Sequence, residues 1–198
     1  MDNKDASSAD PAAAPEPASD PRDPGIIDFR IREFSLSGPA AAHSLTPYES
    51  LCPGLWVGFQ EGARVRMRQG TAADGRRGMF LSLDPGPSAW LSIEMQLDAE
   101  GLVRSGVALA TLEAAASPLV NINMVLRMPR AGSAKGFWDT RPETAVFGPD
   151  VSRKSLAFFP QLSHMIPHDG FPDPLLIAFL PLRKTDLFLS GIRVGPVR

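Results

Sequence analysis

Apolar and polar residues alternate along most of this chain, and the clearest example runs from Trp90 to Leu97. Its apolar positions are Leu91, Ile93, Met95 and Leu97, and the positions between them are Trp90, Ser92, Glu94 and Gln96. Residues two apart lie on the same side of a β-strand, so one face of this strand is predicted to cover a core. The opposite face joins an indole to a hydroxyl, a carboxylate and an amide, a mixture suited to a polyhydroxylated ligand.

The alternation continues in shorter segments that prolines and glycines separate. Asp84-Pro85-Gly86-Pro87 predicts a tight turn, and the break in alternation at Gly191 predicts a bulge in the last strand. Because Thr46-Pro47 fits a helix N-cap and first turn, residues 40–50 are predicted to form a short helix or a loop. Strands are predicted at 26–36, 55–60, 65–69, 78–83, 90–97, 102–113, 119–128, 156–159, 175–182 and 185–194, with short strands or loops at 136–140 and 145–148.

Three successive segments, 90–97, 102–113 and 119–128, are predicted to form a meander joined by short turns. In the third segment the polar residues Asn121, Asn123 and Arg127 lie opposite an apolar stripe, so the polar side continues from strand to strand. Many short strands with almost no helix indicate an all-β protein. The predicted fold is an antiparallel β-sandwich of jelly-roll type.

Composition limits the domain organisation and the classes of partner. Residues 1–24, rich in Ala, Pro and Asp, are predicted to be a disordered tail, and 25–198 a single jelly-roll domain. The formal net charge of −2 and the scattered basic residues disfavour nucleic acid and anionic membranes as partners. The longest apolar run, 174–182, is far shorter than the ~20 residues of a membrane span. Cys52 is the single cysteine and no signal sequence is evident, so a cytoplasmic location is predicted.

The opening strand Ile27 to Leu36, the closing strand Asp186 to Val194 and the central meander together resemble the galactose-binding-like jelly rolls, a group that includes many carbohydrate-binding modules. The resemblance covers 26–194. It implies that the closing strand pairs near the opening strand, and that a glycan lies on the concave sheet or in loops at one edge. The resemblance also implies a link to bacterial relatives that sit beside glycosyltransferases in polysaccharide biosynthesis, which would suit the predicted cytoplasmic location.

The candidate ligand-binding residues fall into two groups. The first is the polar sheet face formed by the segments 90–97 and 119–128, which could bind a glycan. In the alternative interpretation this face is only solvated, and Trp90 caps the edge of the core. The second is the pair Trp138 and Asp139, in which Trp138 is equally compatible with a buried corner residue. The full set is Trp90, Glu94, Gln96, Asn121, Asn123, Arg127, Trp138 and Asp139.

Two further patterns have more ordinary explanations. Arg64, Arg66 and Arg68 share one strand face and suit an anionic sugar or phosphate, but such a row more often protects an outer strand from edge pairing. His164 and His168, with Asp169, have metal-ligand spacing, yet Pro167 argues against a regular helix there. A polar loop is the default, and neither a metal nor another cofactor is predicted.

The sequence favours a non-catalytic glycan- or polysaccharide-binding module. The alternative is an interaction or scaffold domain that docks a protein such as a glycosyltransferase, or a second copy of itself. An enzyme is disfavoured because no nucleophile elbow, phosphate loop or zinc-binding cysteine cluster is present. A carboxylate pair for glycan cleavage would need Glu94 to meet Asp84, Glu113 or Asp139, and the sequence does not bring them together.

Overall fold

The computed structural model describes residues 32–33, 41–97, 99–129, 136–160 and 173–196, and the regular structure within them is almost entirely β. One short helix, α1 (Ala99–Ser105), separates the seventh and eighth strands. The strands are β1 (Arg32–Glu33), β2 (His43–Ser44), β3 (Glu49–Cys52), β4 (Leu55–Phe59), β5 (Arg64–Thr71), β6 (Arg77–Asp84), β7 (Leu91–Gln96), β8 (Ala108–Ser117), β9 (Val120–Pro129), β10 (Phe137–Asp139), β11 (Glu143–Phe147), β12 (Ser152–Phe158), β13 (Leu175–Phe179) and β14 (Thr185–Pro196).

The strands form two antiparallel sheets that pack as a jelly-roll sandwich, as the sequence predicted. Sheet 1 has the order β12-β8-β14-β6-β5-β2, with β1 paired to β14. Sheet 2 has the order β10-β9-β13-β7-β4-β3, with β11 also paired to β9. Successive strands therefore often lie in opposite sheets, and the chain crosses the sandwich repeatedly.

The core fills the space between the sheets, and strand alternation explains which side chains enter it. Leu91, Ile93 and Met95 of β7 are at most 1% exposed. Their partners from the other sheet include Leu81 of β6 and Leu112 of β8, which are equally buried. The alternation predicted for 90–97 is confirmed, so the residues between these positions lie on the outer face of sheet 2.

The predicted meander is wrong, because β7 and β9 lie in sheet 2 whereas β8 lies in sheet 1. The first part of the predicted strand 102–113 is instead helix α1, and its Leu102 packs into the core. Gly106 follows with φ +68°, a conformation that glycine adopts without strain. This helix and turn carry the chain across the sandwich, and β13 occupies the place between β7 and β9.

Residues 41–50 form β2, a turn and the start of β3, not a helix. Tyr48 has φ +60°, which a right-handed helix excludes, and its neighbour Glu49 closes the turn by accepting hydrogen bonds from Thr46. The local sequence therefore resembles a helix start, but the side-chain hydrogen bonds favour a turn.

Several other predictions are confirmed. The register between β14 and β8 shifts between Leu189 and Gly191, as the predicted bulge requires. Arg32 pairs with Val194, so the closing strand lies beside the opening segment. The predicted tail, 1–24, lies outside the described residues. In the part of the chain that is described, no helix is both long and apolar enough to cross a membrane.

Candidate functional site

The outer face of sheet 2 brings together side chains from strands that are far apart in sequence. Glu94 of β7 lies opposite Trp56 of β4 on one side and Ile177 of β13 on the other. Ser92 lies opposite Gly58 and Phe179 in the next row. Directly opposed residues share a face of an antiparallel sheet, so Trp56 joins the face that was predicted from β7. We call this surface the sheet 2 face.

Two aromatic rings meet at one edge of the sheet 2 face. The centroids of Tyr48 and Trp90 lie 5.7 Å apart with a 48° angle between the planes. Gly58 lies beneath the indole, since a Cβ added there would come within 2.8 Å of Trp90 Cζ3. A glycine at this position therefore allows the indole to approach the strand backbone closely. Tyr48 remains 57% exposed, so its ring is open to a ligand.

A hydrogen-bonded turn holds Tyr48 in its unusual backbone conformation. Glu49 Oε2 accepts a hydrogen bond from the Thr46 amide at 2.8 Å and another from the Thr46 hydroxyl at 3.0 Å. These bonds, the backbone bond first, lower the pKa of Glu49 from its ordinary value. His43 Nε2 lies 3.4 Å from the other carboxylate oxygen. A non-glycine residue at positive φ is strained, and such residues often occur at binding sites.

Polar groups next to the rings are fixed by their own contacts. The Ser92 hydroxyl, only 1% exposed, donates to Glu94 Oε1 at 2.9 Å. Partial desolvation of the phenol raises the pKa of Tyr48, the nearby Glu94 carboxylate raises it further, and Arg127 opposes the shift. The phenol, the carboxylate and the guanidinium are therefore close enough to interact electrostatically.

Arg127 of β9 is held from two directions. Its Nε and Nη2 each donate to one carboxylate oxygen of Asp139 at 2.8 Å, which is a bidentate ion pair. Its guanidinium carbon lies 3.9 Å from the centroid of the Phe137 ring. The hydrogen bonds to Asp139 raise the pKa of Arg127. Both groups thus keep a defined orientation on the face.

Seven of the eight predicted residues lie on this face, and one does not. The seven are Trp90, Glu94, Gln96, Asn121, Asn123, Arg127 and Asp139. Besides the contacts of Glu94, Arg127 and Asp139 given above, Gln96 donates to Asp173, and Asn123 accepts from Thr144 at 2.8 Å. Trp138 lies opposite Met128 and packs against the core, which corresponds to the buried alternative.

Sequence reasoning missed two aromatic residues of the face. Trp56 was detectable, because Leu55, Val57 and Phe59 alternate with it and are all buried. Tyr48 was not, since its place depends on the turn described above.

Within the described ranges, no three metal-ligating side chains cluster. The candidate ligands His164, His168 and Asp169 lie outside those ranges.

The sequence matches no family model and no curated protein. Solved structures with similar folds include a family 4 carbohydrate-binding module (17% identity, TM-score 0.48, covering 82% of this chain and 100% of that one). A second is a family 11 carbohydrate-binding module from Clostridium thermocellum, in complex with a β-1,3-1,4-mixed-linked tetrasaccharide. It is 13% identical with a TM-score of 0.44, and the match covers 79% of this chain and 96% of that one. A third is an arabinose-bound α-L-arabinofuranosidase, MgGH51, which is 9% identical with a TM-score of 0.49. The match covers 77% of this chain but 25% of that one. These structures assign no binding or catalytic role to any residue of this chain.

Proposed function

We propose that the sheet 2 face binds a carbohydrate without chemically changing it. The observation that supports this most directly is the contact between the exposed Tyr48 ring and the half-buried Trp90 ring, beside fixed polar groups. A sugar ring presents C–H groups on its faces and hydroxyls at its edge. A ring resting on the aromatic pair would therefore bring its hydroxyls towards Glu94 and its neighbours.

The polar groups have hydrogen-bonding capacity left for such hydroxyls. Among the described residues, Glu94 Oε2 and the Asn121 amide have no hydrogen-bond partner, whereas Glu94 Oε1 already accepts from Ser92. A carboxylate oxygen accepts hydrogen bonds, and an amide both donates and accepts. Ser92 restricts the rotation of Glu94, which reduces the entropy that a ligand must overcome.

The positions of the carboxylates support a non-catalytic role. Asp84 and Glu113, once considered as partners of Glu94, lie in sheet 1 on the other side of the core. Asp139 is on the same face as Glu94 but is occupied by two hydrogen bonds from Arg127. Glycan cleavage needs two carboxyl groups that flank one bond and move protons. Of the three carboxylates weighed as partners of Glu94, none both shares its face and is free of an ion pair.

The test is a polysaccharide screen by isothermal titration calorimetry with the full chain and two variants. Trp90→Ala removes the indole from the face. Phe159→Ala is the control: this ring is 69% exposed and directly follows β12, the edge strand of sheet 1. We expect micromolar to millimolar binding, about −8 to −4 kcal/mol. Trp90→Ala should weaken it by at least ~30-fold, as for a binding hot spot. Phe159→Ala should leave it unchanged.

Two results would contradict the proposal. One is a folded wild-type protein that binds no polysaccharide in the screen. The other is binding that both variants retain equally, which would place the ligand elsewhere. Circular dichroism of each variant separates loss of binding from loss of fold.

A link to polysaccharide biosynthesis and a cytoplasmic location remain predictions from the sequence. The alternative function, docking of a glycosyltransferase or of a second copy, uses the same aromatic and arginine side chains, which are frequent at interface centres. Sedimentation over a concentration range tests self-association. A protein that binds no glycan but associates through Trp90 would favour this alternative.

A further inference from the structure

The outer face of sheet 1 carries a row of arginines that the proposed function does not use. Arg64, Arg66 and Arg68 alternate along β5 with Val65 and Met67, which are buried in the core. The three arginine side chains are exposed. Strand parity therefore directs three guanidinium groups to one surface.

Aromatic packing fixes one end of the row. The guanidinium carbon of Arg68 lies 4.0 Å from the centroid of Phe80, which it faces across the β5–β6 pair. Phe80 in turn packs on Phe188, with 4.6 Å between the centroids. Stacking on a ring holds a guanidinium plane in place while leaving its N–H edge available.

The nearby carboxylates are engaged with groups other than the arginines. Asp186 Oδ1 accepts a hydrogen bond from Ser82 at 2.7 Å, and Asp84 pairs with Lys184 at 3.3 Å. Within the ranges that the structure covers, Arg64, Arg66 and Arg68 take part in no ion pair. The row thus presents uncompensated positive charge.

Two shallow depressions, of about 560 and 470 Å³, lie along the row. Arg66 lines both, together with Ser82 and Asp186. Across the two depressions, four cationic side chains face two carboxylates. Their sizes fall in the range that holds small ligands or sugar units.

We propose that this surface is a second binding site, centred on Arg66, for the carboxylate groups of an acidic polysaccharide. A guanidinium fork matches a carboxylate in a bidentate pair, and the stacking of Arg68 on Phe80 holds the end of the row in place beside Arg66. The whole chain has a formal net charge of −2, so a polyanion would be attracted by this local row and not by the protein as a whole. The proposal is independent of the sheet 2 face.

The test uses galacturonan oligosaccharides and their methyl esters as paired probes, since the ester keeps the sugar and removes the charge. Titration calorimetry compares the wild type with Arg66→Gln and with Arg66→Lys, which keeps the charge but loses the fork. Arg77→Gln, at the far end of β6, removes one charge from the same sheet as a control. We expect the acid to bind and Arg66→Gln to weaken it by at least about tenfold. Arg66→Lys should weaken it less, and Arg77→Gln should leave it unchanged.

Three outcomes would overturn this site. The first is no binding of the acid by a folded wild type, and the second is equal binding of the methyl ester. The third is an equal loss in Arg77→Gln and Arg66→Gln, or equally tight binding of single-stranded DNA, because either result indicates general charge attraction. Binding of the acid that survives Trp90→Ala separates this site from the sheet 2 face.

Discussion

The two outer faces of the sandwich both carry aromatic rings, but they use them differently. On sheet 1, Phe188 is 4% exposed and Arg68 covers Phe80, so the chain's own side chains occupy the rings. On the sheet 2 face, Tyr48 is 57% exposed and its ring contacts the ring of Trp90. An aromatic ring on an outer face is available to a ligand only where the protein leaves it uncovered. This difference supports neutral sugar stacking on sheet 2 and charge recognition on sheet 1.

A glycine lies against one aromatic ring on each face, Gly58 against Trp90 and Gly78 against Phe188, and the two glycines have different surroundings. The three atoms nearest to a Cβ at Gly58 all belong to side chains, those of Glu94, Ser92 and Trp90, each at 2.8 Å. A Cβ at Gly78 would overlap the backbone carbonyl oxygen of Leu189 on the neighbouring strand. Side chains can rotate away, whereas a paired strand cannot. Equivalent substitutions should therefore disturb ligand binding on one face and folding on the other.

The largest effect is expected for Gly78→Ala. The new methyl group must push β14 away from β6 or displace the Phe188 ring, which lies 2.9 Å from the Cβ position. Overpacking of this kind costs about 3 kcal/mol. For a domain of this size that corresponds to a fall in Tm of roughly 6–12 °C.

Differential scanning calorimetry measures this fall, with Gly148→Ala as control, since a Cβ at Gly148 meets nothing within 4 Å. A Gly78→Ala protein as stable as the control would mean that β6 and β14 are not packed as described.

A smaller effect, on affinity and not on folding, is expected for Gly58→Ala. The added methyl group must displace the Trp90 ring, the Glu94 carboxylate or both. We expect glycan affinity to fall about tenfold, or ~1.4 kcal/mol, with a change in unfolding free energy below ~1 kcal/mol. Calorimetric titration and thermal unfolding of the same sample measure both quantities. If Gly58→Ala loses stability but keeps its affinity, the contrast between the two glycines is wrong.

The sequence predicted the face of each residue better than its sheet. Alternation alone places Trp90 and Glu94 outside and Ile93 inside, because strand parity does not depend on topology. It does not say which strands are neighbours. The predicted meander is wrong for this reason. The chain crosses to sheet 1 through α1 and the turn at Gly106, which lie between β7 and β8.

The candidate site shows the same division. Strand residues such as Arg127 and Asn123 were predicted from their parity, and Trp56 was available by the same reasoning. Tyr48 was not, because its position comes from a positive φ angle and from the hydrogen bonds between Glu49 and Thr46. The pairing of Arg127 with Asp139 required knowing that β10 returns along β9. Contacts made through turns and long-range pairing are not encoded in a local pattern.

The smallest expected effect is a shift in the titration of Tyr48, the single tyrosine of the chain. Partial desolvation of the phenol and the Glu94 carboxylate keep its pKa above the ordinary value. The neutral phenol is therefore favoured in the folded protein, and its contribution to stability is present below the ordinary pKa and is lost as the pH rises through the raised pKa. Ultraviolet difference spectroscopy follows this one phenol directly in the folded protein.

Glu94→Gln removes the neighbouring charge and should lower the pKa of Tyr48 towards its ordinary value, while burial keeps it raised. Arg127→Gln should move it in the opposite direction, since Arg127 favours the phenolate. Glu143→Gln removes a carboxylate from β11 of the same sheet and should have no effect. A tyrosine that titrates identically in all four proteins would separate Tyr48 from Glu94 and Arg127. The aromatic pair and the polar groups would then not form one surface. The arginine row of sheet 1 would be the remaining difference between the two faces.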